Sequence, residues 1–136
     1  MIHIDRIDHV VLTVRSIAAT TDFYRRTLGM SVVKFAGGRV ALGFGQQKFN
    51  LHEAGHEFEP KADRPAPGSA DFCLVTATPI ADVIAHLKRE EVEILEGPVD
   101  RTGAIGRLLS VYFRDPDLNL VEVANLVEGA SAALDG

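Results

Sequence analysis

The sequence has little cysteine: Cys73 is the one thiol among 136 residues. No intrachain disulfide can form, and a reducing, cytoplasmic compartment is the expectation. An excess of positive charge is also missing. Lys and Arg number 14 against 19 Asp and Glu, giving a formal net charge of −5 and a pI near 5.5. Without a basic stripe to neutralise phosphates, no nucleic-acid partner is expected. Long apolar runs are lacking too, and none approaches the ~20 residues a bilayer-spanning helix needs. The opening MIHIDR mixes acid with base and has no apolar signal-peptide core. What is present is the mix of an ordinary soluble domain: 46% hydrophobic and 24% charged.

Residues 7–14 (IDHVVLTV) are short and β-branched, which suits a strand. Ser16 is placed to cap a helix in which Ala18, Ala19, Phe23, Tyr24 and Leu28 recur at helical spacing, and Gly29 is placed to end it. Strands are expected over 30–35, 39–44 and 47–52, with turns at Gly37-Gly38 and Gly45. Residues 53–69 are polar and contain Pro60, Pro65 and Pro67. Structureless loops beyond ~12–15 residues are uncommon in compact domains, so this stretch reads as a linker that could serve as a lid. The pattern then restarts. A strand over 71–76 leads to Pro79 at a first helical position and to a helical stripe of Ile80, Val83, Ile84 and Leu87. A short strand over 92–95 is expected to break at Gly97-Pro98. Strands over 107–114 and 119–125 follow, joined by a turn at Asp115-Pro116-Asp117.

Each half therefore reads strand, helix, then three strands. The echo extends to Asn50-Leu51 and Asn119-Leu120 at corresponding strands. The chain is expected to be a single α+β domain made of two βαβββ modules: module 1 at about 5–53, a linker over 54–69, module 2 at about 70–126, and a fraying tail over 127–136. One module of ~60 residues buries too little surface to be stable alone, so the modules are expected to pair, within one chain or between two.

Strand alternation sorts the side chains. Val10, Leu12 and Val14 share one face of the first strand, and His9, Val11 and Thr13 the other. The remaining strands likewise have an apolar face for the helices. Their opposite faces carry His52 with Asn50, Asp71, and Glu122. If the sheet curls with the helices outside, these groups converge in a cup. Inward polar groups need partners or water, and imidazole with carboxylate suits Zn, Mn, Fe, Co or Ni.

The segments IDHVVLTV, FYRRTLGM and YFRDPDLNLVEV resemble the vicinal oxygen chelate superfamily, which includes glyoxalase I, extradiol dioxygenases and bleomycin-resistance proteins. The resemblance spans about residues 7–126. FGQQKFNLHE, FEPKADRPAPGSADFCLVT and EGPVDRTGAIG are most similar to the glyoxalase domain-containing protein 5 subgroup. It implies a cup-like sheet with a divalent metal, ligands on the first and last strands of each module, and a homodimer. His9 and Glu122 match two such ligand positions, with Glu122 also a candidate proton carrier. His52 and Asn50 compete for the fourth-strand position, His52 as a ligand and Asn50 as an outer-sphere or substrate-facing group. Asp71 stands where the second module usually has a histidine, as a ligand, an outer-sphere acceptor or a solvated aspartate. The turn DPDLN carries Leu118 where glycine is common.

Other residues carry blander readings. Cys73 reads as a strand hydrophobe, His86 as helix surface, and His3 and His56 have no supporting pattern. Arg101, Arg107, Tyr112 and Arg114 could bind an anionic substrate or be solvated, and Tyr112 and Arg101 are kept as substrate-binding candidates. The resemblance implies a metal-dependent enzyme of glyoxalase or lyase type acting on a small oxygen-chelating molecule, a glutathione hemithioacetal being one. Its rivals are an Fe(II) extradiol-type dioxygenase and a non-catalytic drug-binding resistance protein.

Overall fold

The computed structural model describes residues 1–127, so the expected tail beyond them lies outside the described residues. The chain divides into two compact units, the first ending at Ser69 and the second beginning at Ala70. Each unit is an open, curved four-stranded mixed sheet with one helix, the α+β architecture the sequence repeat predicts. No described helix is long and apolar enough to cross a membrane.

In the first unit, strand β1 (His9–Val14) leads into helix α1 (Ile17–Leu28), and strands β2 (Ser31–Phe35), β3 (Arg39–Phe44) and β4 (Gln47–Glu53) follow. The sheet order is β1-β4-β3-β2, with β1 parallel to β4 and the other pairs antiparallel. α1 starts at Ser16, whose Oγ accepts the Ala19 N–H at 3.1 Å. It ends at Gly29, whose φ of 67° is left-handed, a conformation open to glycine without steric cost. Tyr24 is fully buried between Phe23 and Phe49, edge to face with both, and Leu12, Val14, Leu42 and Leu51 complete the core.

The second unit repeats this plan. Strand β5 (Asp71–Val75), helix α2 (Ile80–Arg89) and strands β6 (Glu96–Thr102), β7 (Arg107–Arg114) and β8 (Leu120–Leu126) give the order β5-β8-β7-β6. Ile80, Val83 and Leu87 bury the predicted stripe of α2, and Val111, Phe113, Val121 and Val123 are buried with them. α2 begins one residue later than expected, with Pro79 as its cap. Its first N–H is held from the end of β8, the neighbour of β5: Asn125 Oδ1 accepts the Ile80 N–H at 2.8 Å, while Asn125 Nδ2 donates to the Thr76 and Thr78 carbonyls.

The second strand of module 2 is a correction. It runs over Glu96–Thr102 instead of 92–95, and Gly97-Pro98 lies inside it. Two features permit this. β6 is an edge strand, where proline's missing N–H breaks no ladder bond, and the register shifts between Glu96 and Val99 in a bulge. Gly97 takes φ 122°, and a Cβ there would meet the Ser110 carbonyl oxygen at 2.6 Å.

The start of the expected linker packs against the first unit. Ala54 N–H donates to the Val14 carbonyl at 2.8 Å and His56 N–H to the Glu53 carbonyl at 2.9 Å. Phe58 then lies back over β3 and β4 of its own unit.

Candidate functional site

The polar face of the first unit is built by register. β1 pairs with β4 as His9↔Lys48, Val11↔Asn50 and Thr13↔His52. Gly43 and Ala41 of β3 oppose Lys48 and Asn50. His9 is exposed, and its Nδ1 lies 2.9 Å from Asp8 Oδ2. That contact holds the Asp8 carboxyl below its ordinary value. With Asp8 accepting from Nδ1, the His9 Nε2 lone pair is free, the arrangement a metal-ligating imidazole takes. The Asn50 Oδ1 is buried and has no hydrogen-bond partner.

His52 sits deeper on the same face, only 5% exposed. Its ring meets Phe58 edge to face at 5.6 Å, and its Nδ1 has no partner. Burial, then the nearby Arg39 charge, hold its pKa below the ordinary histidine value.

The second unit carries a connected polar row. β5 pairs with β8 as Asp71↔Leu120 and Cys73↔Glu122, and β7 with β8 as Tyr112↔Glu122. Glu122 thus stands between Cys73 and Tyr112 across the strands, close enough for its charge to act on both. Desolvation first, then the Glu122 charge, push the Cys73 thiol up to about 11. The thiol therefore stays protonated near neutrality and is a poor nucleophile. Arg101 Nε donates to Tyr112 Oη at 2.9 Å, and its Nη2 donates to Glu96 at 3.2 Å. The predicted pair Arg101 and Tyr112 is therefore joined, and both are tied into the row that holds Glu122.

The two registers settle which fourth-strand residue matches Glu122 in the repeat. Two residues after His9, Val11 faces Asn50; two residues after Asp71, Cys73 faces Glu122. Asn50 is the counterpart of Glu122, and His52 is the counterpart of Ala124. The same rows set the spacing of His9 and His52. They are four residues apart on adjacent strands, ~13 Å along the sheet at ~3.3 Å per residue. Alternation gives the face of a residue but not its row, so the sequence could not separate the two.

Among the described residues no three His, Cys, Asp or Glu side chains gather into a group able to hold a metal ion. The matching candidates are split by unit: His9 and Asn50 in the first, Asp71 and Glu122 in the second. Their donor chemistry fits a divalent ion, since one free imidazole nitrogen, two carboxylates and an unpartnered amide oxygen suit borderline first-row metals. Sequence reasoning missed Arg39, Phe58 and Asn125. Each acts through a contact distant in the chain, and no local pattern marks it.

Comparison with known proteins gives a consistent result. A sequence model described as the Glyoxalase/Bleomycin resistance protein/Dioxygenase superfamily matches residues 6–123. The chain is 56% identical over 124 residues to the "Virulence protein STM3117" of Salmonella typhimurium, covering 91% of this chain and 86% of that protein. The crystal structure of that protein superposes with a TM-score of 0.91 at 55% identity, covering 93% of this chain and 100% of the other. A second relative, the "Glyoxalase domain-containing protein RDO1" of Mycosarcoma maydis, is 55% identical over 119 residues, 88% of this chain and 67% of its own length. Lactoylglutathione lyase from Agrobacterium tumefaciens shares the fold alone, at 23% identity and a TM-score of 0.67, covering 88% of this chain and 92% of the other.

Proposed function

The chain belongs to the Glyoxalase/Bleomycin resistance protein/Dioxygenase superfamily, and from that premise we propose that it is a divalent-metal-dependent enzyme of glyoxalase or lyase type. Its substrate is a small oxygen-chelating molecule. The observation that carries the reading is the repeated register: His9 with Asn50 in one unit, and Asp71 with Glu122 in the other, occupy equivalent places. His9 of the first unit and Glu122 and Asp71 of the second are its candidate ligands, and Asn50 Oδ1 is a further donor of the first unit. Bound there, the ion would act as a Lewis acid on two substrate oxygens.

The chain's own groups have separate tasks. Asp8 orients His9 through Nδ1. Glu122, fixed between Cys73 and Tyr112, can take a proton from the substrate. Tyr112 is kept protonated by desolvation, so its hydroxyl is a donor for a developing oxyanion, and Arg101 holds it in place. Paired modules, a homodimer, a cytoplasmic location and membership of the glyoxalase domain-containing protein 5 subgroup complete the proposal.

Asn50 supports a second reading. An amide replaces a carboxylate at the position equivalent to Glu122, which weakens the donor set and favours a metal-free binding protein of the drug-resistance type. An extradiol dioxygenase fits less well, because its two-histidine, one-carboxylate triad would need His9 and His52 together.

Metal content of protein purified without chelator, followed by titration with Ni, Co, Zn, Mn and Fe(II), separates the readings. Binding at micromolar concentration is expected. His9→Ala and Glu122→Ala are each expected to weaken it by at least about 100-fold, beyond the loss of an outer-sphere partner. No binding by any of the five ions would remove both enzyme readings and leave the binding protein.

A further inference from the structure

His52, Arg39 and Phe58 form a cluster that the metal reading does not use. His52 is 5% exposed with an unpartnered Nδ1, and an unpaired buried polar atom is costly unless something satisfies it. Arg39 precedes Val40, which pairs with Leu51, so Arg39 lies beside His52 on the polar face. Its guanidinium stacks on the Phe58 ring at 4.4 Å. Among the described residues Arg39 has no carboxylate partner, although the charges of Glu57 and Glu59 reach the neighbouring His52. Those two are engaged elsewhere: Lys61 Nζ lies 3.1 Å from Glu59 and 3.8 Å from Glu57, and Glu57 accepts the Gly55 N–H at 2.7 Å. A stacked guanidinium keeps its N–H edge free, and that edge matches the two oxygens of a carboxylate.

We propose that Arg39, His52 and Phe58 form a carboxylate-binding subsite of the first unit, whose ligand is a small organic acid. The carboxylate lies on the Arg39 fork and the His52 ring nitrogen, and the apolar body of the acid lies against Phe58. The subsite stands on the first unit alone and does not depend on a bound metal. Arg39 opposes protonation of His52, while Glu57 and Glu59 favour it and Lys61 opposes it.

The test uses the full chain, stripped of metal, titrated with benzoate and in parallel with inorganic phosphate at constant ionic strength. Histidine side-chain resonances are followed by NMR. Benzoate is expected to give a saturable shift centred on His52. Arg39→Gln is expected to weaken benzoate binding by about tenfold through loss of a charge-assisted fork. Arg39→Lys keeps the charge but loses the fork and the planar stacking, and is expected to weaken binding by a smaller factor; it covers the case in which Arg39→Gln fails to fold. A shift that does not saturate, one unchanged in both Arg39 variants, or tighter binding of phosphate than of benzoate would each overturn the proposal. Since the protein is metal-free throughout, failure here and failure of the metal reading are separate results.

Discussion

The two units share one topology and one register, yet their polar faces have diverged. On the first, the strands present His9, Lys48, Asn50, His52 and Arg39, with no carboxylate among them. On the second, the equivalent face carries Asp71, Glu122 and Glu96, with Arg101 bound to Glu96 and Tyr112. The helices differ as well. α1 is capped by its neighbour Ser16, whereas α2 is capped by Asn125 from the end of β8. A duplicated scaffold keeps its apolar faces because the cores need them, and leaves the polar faces free to specialise. Here one face is suited to receive anionic oxygen and the other to supply it.

The largest test of this comparison is in the cores. Leu87 is fully buried in the second unit, so Leu87→Ala is expected to cost ~2–5 kcal/mol. Calorimetry reads whether that loss moves one unfolding transition or splits it. A single transition, shifted as a whole, would show that neither unit is stable without the other.

The helix caps come next. Asn125→Ala removes one cap bond and two carbonyl contacts and is expected to cost ~2 kcal/mol, against ~1 kcal/mol for Ser16→Ala. Denaturant titration compares them. Equal losses would mean that the long-range cap adds nothing over the local one.

His52 gives a pH-dependent difference, since its counterpart in the second unit is Ala124. Burial and Arg39 lower its folded pKa from 6.5. Between that lowered value and 6.5 the unfolded chain binds a proton that the folded chain does not. The neutral ring's stabilisation is therefore present above pH 6.5 and is lost as pH falls through the window below it. His52→Gln is expected to flatten the stability profile there; an unchanged slope would mean that His52 titrates as it does in the unfolded chain.

The smallest effect belongs to a turn. Leu118 is exposed with φ 70°, a left-handed conformation unfavourable for a branched side chain by roughly 1–2 kcal/mol. Leu118→Gly relieves that strain but adds freedom to the unfolded chain, so a gain of at most ~1 kcal/mol is expected. The turn is otherwise held by Asp115, whose Oδ1 accepts from the Asp117 and Asn119 N–H groups. A loss of stability would show that the Leu118 side chain itself contributes.

Local signals carried much of the fold. Ser16 and Gly29 bound α1, the stripe from Ile80 to Leu87 buries, and strand alternation assigned His9, Asn50, Asp71 and Glu122 to the polar faces. What alternation cannot supply is the row, because rows come from pairing between distant strands. That is why Asn50 and His52 stayed undivided until the β1–β4 register was known. β6 was hidden because glycine and proline end most strands, and only its edge position and bulge exempt it. Phe58 was hidden because a segment rich in proline and charge gives no hint that it turns back over β4.

The bulge in β6 has a consequence for the company the sheet can keep. An open sheet edge is a template for any passing strand, and of the edge strands β1, β2, β5 and β6 the chain guards β2 and β6 unequally. Along β6, Pro98 offers no donor and the kink at Gly97 breaks the spacing a visiting strand would need. β2 is regular, with Val32 and Val33 exposed and Lys34 as its one charged deterrent. Of these two, β2 is therefore the edge more open to unwanted association between chains, and a second charge there, not at β6, is where solubility could be improved.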